Sequence, residues 1–319
     1  MIRLFRVAVL GSLLVLFAVA AGAATEPSAA PPPTAVAQAD VLKMPIPAHD
    51  PMINSGGQPW RELRNGPVKI AGGILVLAAI VAIAIVHRRT GGQRLKGAPS
   101  GRYILRFDGL ERVAHWLAAI SFVLLAVSGL VLLFGRNLLL PLIGYGSFSW
   151  LAGLSKNSHN FLGFVFLASV ALMFFLFVRD NFWHPSDREW LRKRGGLFDH
   201  AHIPSGRFNA GEKLWFWGGM TALGALLIVT GLALDFTNLL PSPVYAQAAN
   251  VLHGAGALVL IAASLGHIYM GTIGVEGAYQ AMITGEVDES WAEQHHSLWY
   301  EEVREHSSTV RGARTGAGA

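Results

Sequence analysis

The 319-residue sequence contains no cysteine. That excludes disulfides, thiolate-held iron–sulfur clusters and the thioether attachment of a haem. Any metal centre must therefore draw on His, Met or carboxylate ligands. Charge is scarce too, at 14% of residues against 52% hydrophobic, and the mean hydropathy is +0.43. These values suit a polytopic membrane protein better than a soluble domain. The nominal pI of 9.7 invites a nucleic-acid reading. The basic residues, however, sit in short loops between apolar runs, which is the pattern of topology signals, and no nucleic-acid partner is expected.

Residues 1–24 carry Arg3 and Arg6, then an apolar run, then Ala21-Gly22-Ala23. This reads as a secretory signal peptide, with an uncleaved anchor helix as the alternative. Residues 25–68 are rich in Pro and Ala and read as an exported flexible segment. Residues 69–86 form an apolar span ending at His87-Arg88-Arg89, so it is expected to run from outside to inside.

Four further spans are expected at about 113–134, 159–178, 214–235 and 251–271. The intervening loops test the alternation. Residues 87–112 hold seven Lys and Arg, 135–158 hold two, 179–213 hold seven and 236–250 hold none. The positive-inside rule then puts the mature N-terminus outside and the tail, 276–319, in the cytoplasm. A weak internal echo, Leu124 to Leu130 against Leu226 to Leu232, falls on the two spans that run inside to outside.

The last span carries His253 and His267, fourteen residues apart. At about 100° and 1.5 Å per residue, both rings project from nearly one face, roughly 21 Å apart along the axis. Ionisable side chains at membrane depth are costly and are functional candidates by default, although snorkelling to the headgroups is the bland alternative. The topology gives each of four histidines a depth. His159 and His253 fall in the outer half, His115 and His267 in the inner half. Two imidazoles from facing helices can supply both axial ligands of a haem iron, making an electron carrier. A zinc site would need a tight tetrahedral cluster. A proton relay usually recruits intramembrane carboxylates, whereas the one acid noted at a span's edge is Asp235. His49, His87, His184, His200, His202 and His306 read as solvated residues, and His295-His296 as part of a docking surface.

At these residues the chain resembles the cytochrome b (gamma) subunit of respiratory formate dehydrogenases. The shared motifs are Arg106-Phe107, Glu111 to Trp116, Ser158-His159 with Gly163, Phe208 to Lys213, His253, and Gly266 to Met270. Met282 to Val287, Trp291 to Glu293 and His295 to Tyr300 continue the match into the tail. The resemblance covers about residues 102–304. It implies an all-α integral membrane fold, a four-helix di-haem bundle over 102–275, to which this chain adds one N-terminal transmembrane helix.

It further implies two b haems, the inner held by His115 and His267 and the outer by His159 and His253. Electrons would enter from an iron–sulfur beta subunit of a complex whose catalytic subunit holds molybdenum or tungsten. They would leave to membrane quinone near the inner haem, in a pocket walled by Asn209 and Gly211, within a bacterial inner membrane. No formate-oxidising site is expected in this chain. Asn209 equally suits a helix N-cap, and both roles stay open. Cytochrome b subunits of nickel–iron hydrogenase or thiosulfate reductase have a related layout, and a cofactor-free membrane anchor is the alternative from another class.

Overall fold

The computed structural model describes residues 57–197 and 203–316. The signal-peptide reading, most of the Pro/Ala-rich segment, and His49, His200 and His202 fall outside the described residues. Among the described residues five helices are long and apolar enough to cross a membrane. They are α1 (Pro59–Thr90), α2 (Gly109–Leu138), α3 (Leu140–Asn181), α5 (Ala210–Asp235) and α6 (Pro243–Gly274). Ile74, Ile120, Val127, Phe161, Phe175 and Val229 are exposed on them, which suits a surround of hydrocarbon chains and not water.

Helix starts follow from local chemistry. Asp108 caps α2 and Asn209 caps α5, each with the glutamate three residues on. The Asp108 carboxylate accepts from the Glu111 N–H at 2.8 Å, and Glu111 accepts from the Asp108 N–H at 2.9 Å. Asn209 and Glu212 repeat this reciprocal box at 3.1 and 2.8 Å. These caps expose an internal repeat, Arg106-Phe107-Asp108-Gly109-Leu110-Glu111-Arg112 against Arg207-Phe208-Asn209-Ala210-Gly211-Glu212-Lys213.

The two copies interlock. Arg106 donates to Glu212 at 3.0 Å and to the Arg207 carbonyl at 2.9 Å; Arg207 donates to Glu111 at 2.7 Å and to the Arg106 carbonyl at 2.7 Å. Each arginine thus grips the capping glutamate of the other copy. The pairs α2–α3 and α5–α6 are consequently related as two halves of the bundle.

Two boundaries differ from expectation. Helix begins at Gly57, so residues 57–68 continue the added helix and are not flexible linker. Pro67 lacks an N–H, and the helix widens to a π turn over Arg64–Val68 instead of breaking there. The third helix runs from Leu140 with Pro141 in its first turn, breaks at Gly144 (φ +74°, ψ 170°), and continues beyond it, so helix takes up most of the expected 135–158 loop. The added helix packs on the bundle: Gly72, Gly73 and Val76 are buried on α1, and Val76 clusters with Phe134 of α2 and Leu258 and Ala262 of α6.

The tail is not a separate appendage. Strand β1 (Tyr103–Leu105) pairs antiparallel with β2 (Glu286–Asp288), with Ile104 opposite Val287. Gly285 has φ +90°, a conformation strained for other residues, and its carbonyl accepts from the Arg106 and Phe107 N–H groups. Between α3 and α5 lies the short α4 (Pro185–Arg192); α7 (Ala278–Ile283), α8 (Glu289–His295) and α9 (Ser297–Gly316) complete the chain. Val287, Trp291 and Trp299 are buried against Phe107, Phe166, Val170 and Phe216. The tail therefore caps one end of the bundle, here termed the tail end.

Candidate functional site

The four membrane histidines come together as two pairs. His159 of α3 faces His253 of α6 with ring centroids 6.1 Å apart, and His115 of α2 faces His267 of α6 at 6.2 Å. A metal–imidazole bond of about 2 Å on each side, plus roughly 1 Å from nitrogen to ring centre, spans about 6 Å. Among the described residues no three of His, Asp and Glu converge as a metal cluster. Two imidazoles and no third ligand suit an axial pair better than a tetrahedral zinc.

In the His159/His253 layer the preceding helix of each half presents a hydroxyl and a glycine. Ser128 Oγ lies 2.9 Å from His159 Nδ1, and Thr230 Oγ1 lies 3.0 Å from His253 Nδ1. Each hydroxyl already donates its one proton to its own helix, Ser128 to the Leu124 carbonyl at 2.8 Å and Thr230 to the Leu226 carbonyl at 2.6 Å. It must then accept from the ring, which fixes the proton on Nδ1 and leaves the Nε2 lone pair for a metal. The neighbouring glycines clear the space. A Cβ at Gly129 would sit 3.3 Å from His159 Cε1, and one at Gly231 3.4 Å from His253 Cε1. A cavity of about 400 Å³ opens beside both rings, lined also by Gly163, Leu227 and Ala257.

The His115/His267 layer is built differently. Among the described residues His115 Nδ1 is buried with no hydrogen-bond partner, which costs on the order of 1–3 kcal/mol unless the ring gains an interaction elsewhere. A metal bond at Nε2 would leave the proton on that Nδ1 and offset the cost without satisfying it; the facing of His115 and His267 at 6.2 Å is what fits a haem here. His267 stacks on Trp215 at 4.7 Å with planes 8° apart. It opens onto a cavity of about 1000 Å³, while His115 does not line that cavity. Asn209 and Gly211 both lie on the cavity wall, with Trp190, Trp215, Gln93 and His296. Asn209 is thus both the cap of α5 and a cavity residue. Gly211 is held to glycine by Trp190, whose ring a Cβ would meet at 2.6 Å.

Polar groups close this end. Arg106 is buried between the rings of Phe107 and Trp291, its guanidinium 4.9 Å from each centroid. Burial lowers its pKa while Glu212 counteracts, and a guanidinium stays charged under such a shift. Lys213 donates to Asp187 at 2.7 Å in a buried ion pair. His296 is 2% exposed, so it is no docking surface; its Nδ1 donates to the Gly206 carbonyl at 2.8 Å. Burial, then the adjacent Arg106 charge, pushes its pKa well below 6.5. The ring is neutral near pH 7, and its 3.9 Å approach to Glu212 is not an ion pair. His87, expected on the surface, contacts the Tyr269 hydroxyl at 3.3 Å and ties α1 to α6.

Sequence reasoning missed the Ser128 and Thr230 hydroxyls, although both lie inside the echo it noticed. It also missed the interlocked arginines, because neither motif was compared with the other.

Comparison with known proteins covers this same region. The family "Prokaryotic cytochrome b561" matches residues 106–285. The chain is 34% identical over 206 residues to the formate dehydrogenase cytochrome b556(fdo) subunit of Escherichia coli (strain K12), covering 63% of this chain and 93% of the relative. It is 30% identical over 214 residues to the nitrate-inducible cytochrome b556(Fdn) subunit of the same strain, covering 63% and 92%. A formate dehydrogenase cytochrome b556 subunit of Haemophilus influenzae is 28% identical over 214 residues, covering 62% and 83%.

Proposed function

Because the chain belongs to the prokaryotic cytochrome b561 family, we propose that it is the membrane subunit through which a formate dehydrogenase complex delivers electrons to quinone. It is a multi-pass membrane cytochrome b of electron transfer. The observation that carries the finer reading is the pair of facing histidine layers at 6.1 and 6.2 Å. His159 with His253, and His115 with His267, would each hold one b haem. When bound, a haem with two imidazole ligands has no open position and supplies one-electron transfer without substrate chemistry.

The chain's own residues prepare that chemistry. Ser128 and Thr230 hold two of the imidazoles in the tautomer that presents Nε2. Gly129 and Gly231 leave those rings room to stand face to face. Fixed ligands on three packed helices limit rearrangement when charge arrives. At the tail end the larger cavity beside His267, with Asn209 and Gly211 on its wall, is the proposed quinone pocket. The capping box holds the Asn209 side chain in place while its remaining amide N–H donors can meet a quinone carbonyl.

Loop charges of seven, two, seven and zero support a cytoplasmic tail end and an outer His159/His253 layer. That layer would face the iron–sulfur partner of the complex. The test uses the assembled complex. Anaerobic formate should reduce both haem signals, and added quinone should reoxidise them. Haem that formate cannot reduce in the intact complex would remove formate dehydrogenase from the reading.

A further inference from the structure

The added helix α1 lies before the family match, which begins at residue 106, yet it reaches the His159/His253 cavity. Arg64 lines that cavity together with Lys156, Asn160, Asp235 and Asn250. We propose that Arg64 is an anion-binding residue of this cavity, and that with Lys156 it holds the carboxylate side chains of the haem assigned to His159 and His253. The inference rests on the haem reading above.

Four observations carry it. Arg64 is half-buried, and among the described residues its side chain donates from Nη1 to the adjacent Asn65 at 3.0 Å. Among the described residues it makes no ion pair with a carboxylate. Lys156 has one acid, Asp235, at 3.9 Å, and also donates to Asn160 at 2.9 Å. The cavity wall therefore carries two cations against one anion. Among the described residues the buried Oδ1 of Asn250 meets no partner, and half a turn of the amide presents two N–H donors instead. Finally, Arg64 opens the π turn, with the Lys69 N–H reaching back to the Arg64 carbonyl, and such turns recur where a helix serves a site.

A planar guanidinium matches a carboxylate through paired donors, which a point-charge lysine does not reproduce. A b haem carries two carboxylates and an otherwise apolar ring, so it wants cations at one rim of an apolar slot. The rim residues here come from α1 (Arg64), α3 (Lys156, Asn160) and α6 (Asn250). In this chain the cofactor layer is completed by a helix that the family match does not include.

The experiment is a redox titration of the purified full chain, with haem content measured in parallel, for wild type, Arg64→Gln, Arg64→Lys and Arg61→Gln. Arg61 lies on the same helix but is exposed and does not line the cavity. Arg64→Gln should favour the oxidised form of one haem on the order of tenfold, a fall of roughly 59 mV for a one-electron couple. That haem should be the one lost in His159→Ala. Arg64→Lys should restore part of the shift, and Arg61→Gln should leave both midpoints in place. Two haems with unchanged midpoints and retention in Arg64→Gln would overturn this assignment alone. An equal shift in Arg61→Gln would also overturn it, by making the effect a general surface field. A wild-type chain lacking the second haem would instead overturn the reading on which it rests.

Discussion

The two histidine layers differ in symmetry, and the proposed function gives them different work. His159 and His253 occupy equivalent places in the two halves of the bundle, each served by a hydroxyl and a glycine from the helix before it. His115 and His267 do not. Nine residues after Arg106 stands His115, but nine after Arg207 stands Phe216; fourteen after His253 stands His267, but fourteen after His159 stands Met173. Phe216 and Met173 pack in the apolar cluster under the tail. The symmetric layer is tautomer-locked beside the smaller cavity. The asymmetric layer gives up that equivalence, leaves His115 Nδ1 unpartnered, and gains the large cavity beside His267. A layer that only passes electrons gains from rigidity, whereas one that meets a diffusing acceptor needs open space.

The largest test of this division is loss of a cofactor. His159→Ala or His253→Ala should remove one haem and stop formate from reducing the other. His115→Ala or His267→Ala should also remove one haem but leave the remaining one reducible by formate, with quinol formation abolished. Optical spectra with formate and then quinone distinguish the two outcomes. If all four variants behave alike, the layers are not in series.

Next comes space. Gly129→Val should push the His159 ring aside, since even a Cβ would sit 3.3 Å from Cε1. Haem content should fall from two to about one per chain while the His115/His267 signal persists. Thr230→Val is subtler, because it keeps the shape and deletes only the hydroxyl that holds His253. Loss of such an outer partner typically costs about 10–100-fold in metal affinity, read as haem loss during dilution or competition with apomyoglobin. Equal retention in Thr230→Val and wild type would break the tautomer argument.

Asn209→Ala sharpens the other side of the comparison. It should lower stability by about 0.5–2 kcal/mol through the lost cap and keep both haems. It should also slow reoxidation by quinone. A wild-type rate would leave Asn209 as a cap only and put the quinone site elsewhere on the cavity.

The smallest effect is a pH dependence of the tail cap. His296 has a folded pKa well below its unfolded 6.5, so the unfolded state binds the extra proton. Stability from this group is full above pH 6.5 and is lost as pH falls below it. Hydrogen-exchange protection factors of residues 203–216 and 289–300, taken against the intrinsic rate at each pH, should fall between pH 7.5 and 5.5, and His296→Asn should flatten that change.

Much of this was legible in the sequence because membrane constraints are simple. Apolar length fixes the spans, loop arginines suggest the direction, and an intramembrane histidine stands out against its neighbours. The pairing of His159 with His253 and of His115 with His267 followed from depth alone. What stayed hidden depends on packing between distant residues. Ser128 and Thr230 look like ordinary helix hydroxyls until the facing ring is in place. The helical nature of residues 57–68 was masked by Pro67, which a π turn accommodates. His296 looked like a surface residue because its neighbours are polar; the tail folds it under Arg106 and Trp291.

On the proposed function both layers hold a haem. The most direct measurement is a pyridine haemochrome assay on the purified chain, set against protein concentration from amino-acid analysis. Two b haems per chain is the result predicted, falling to one when either member of either histidine pair is replaced. One haem or none in the wild-type chain would contradict it.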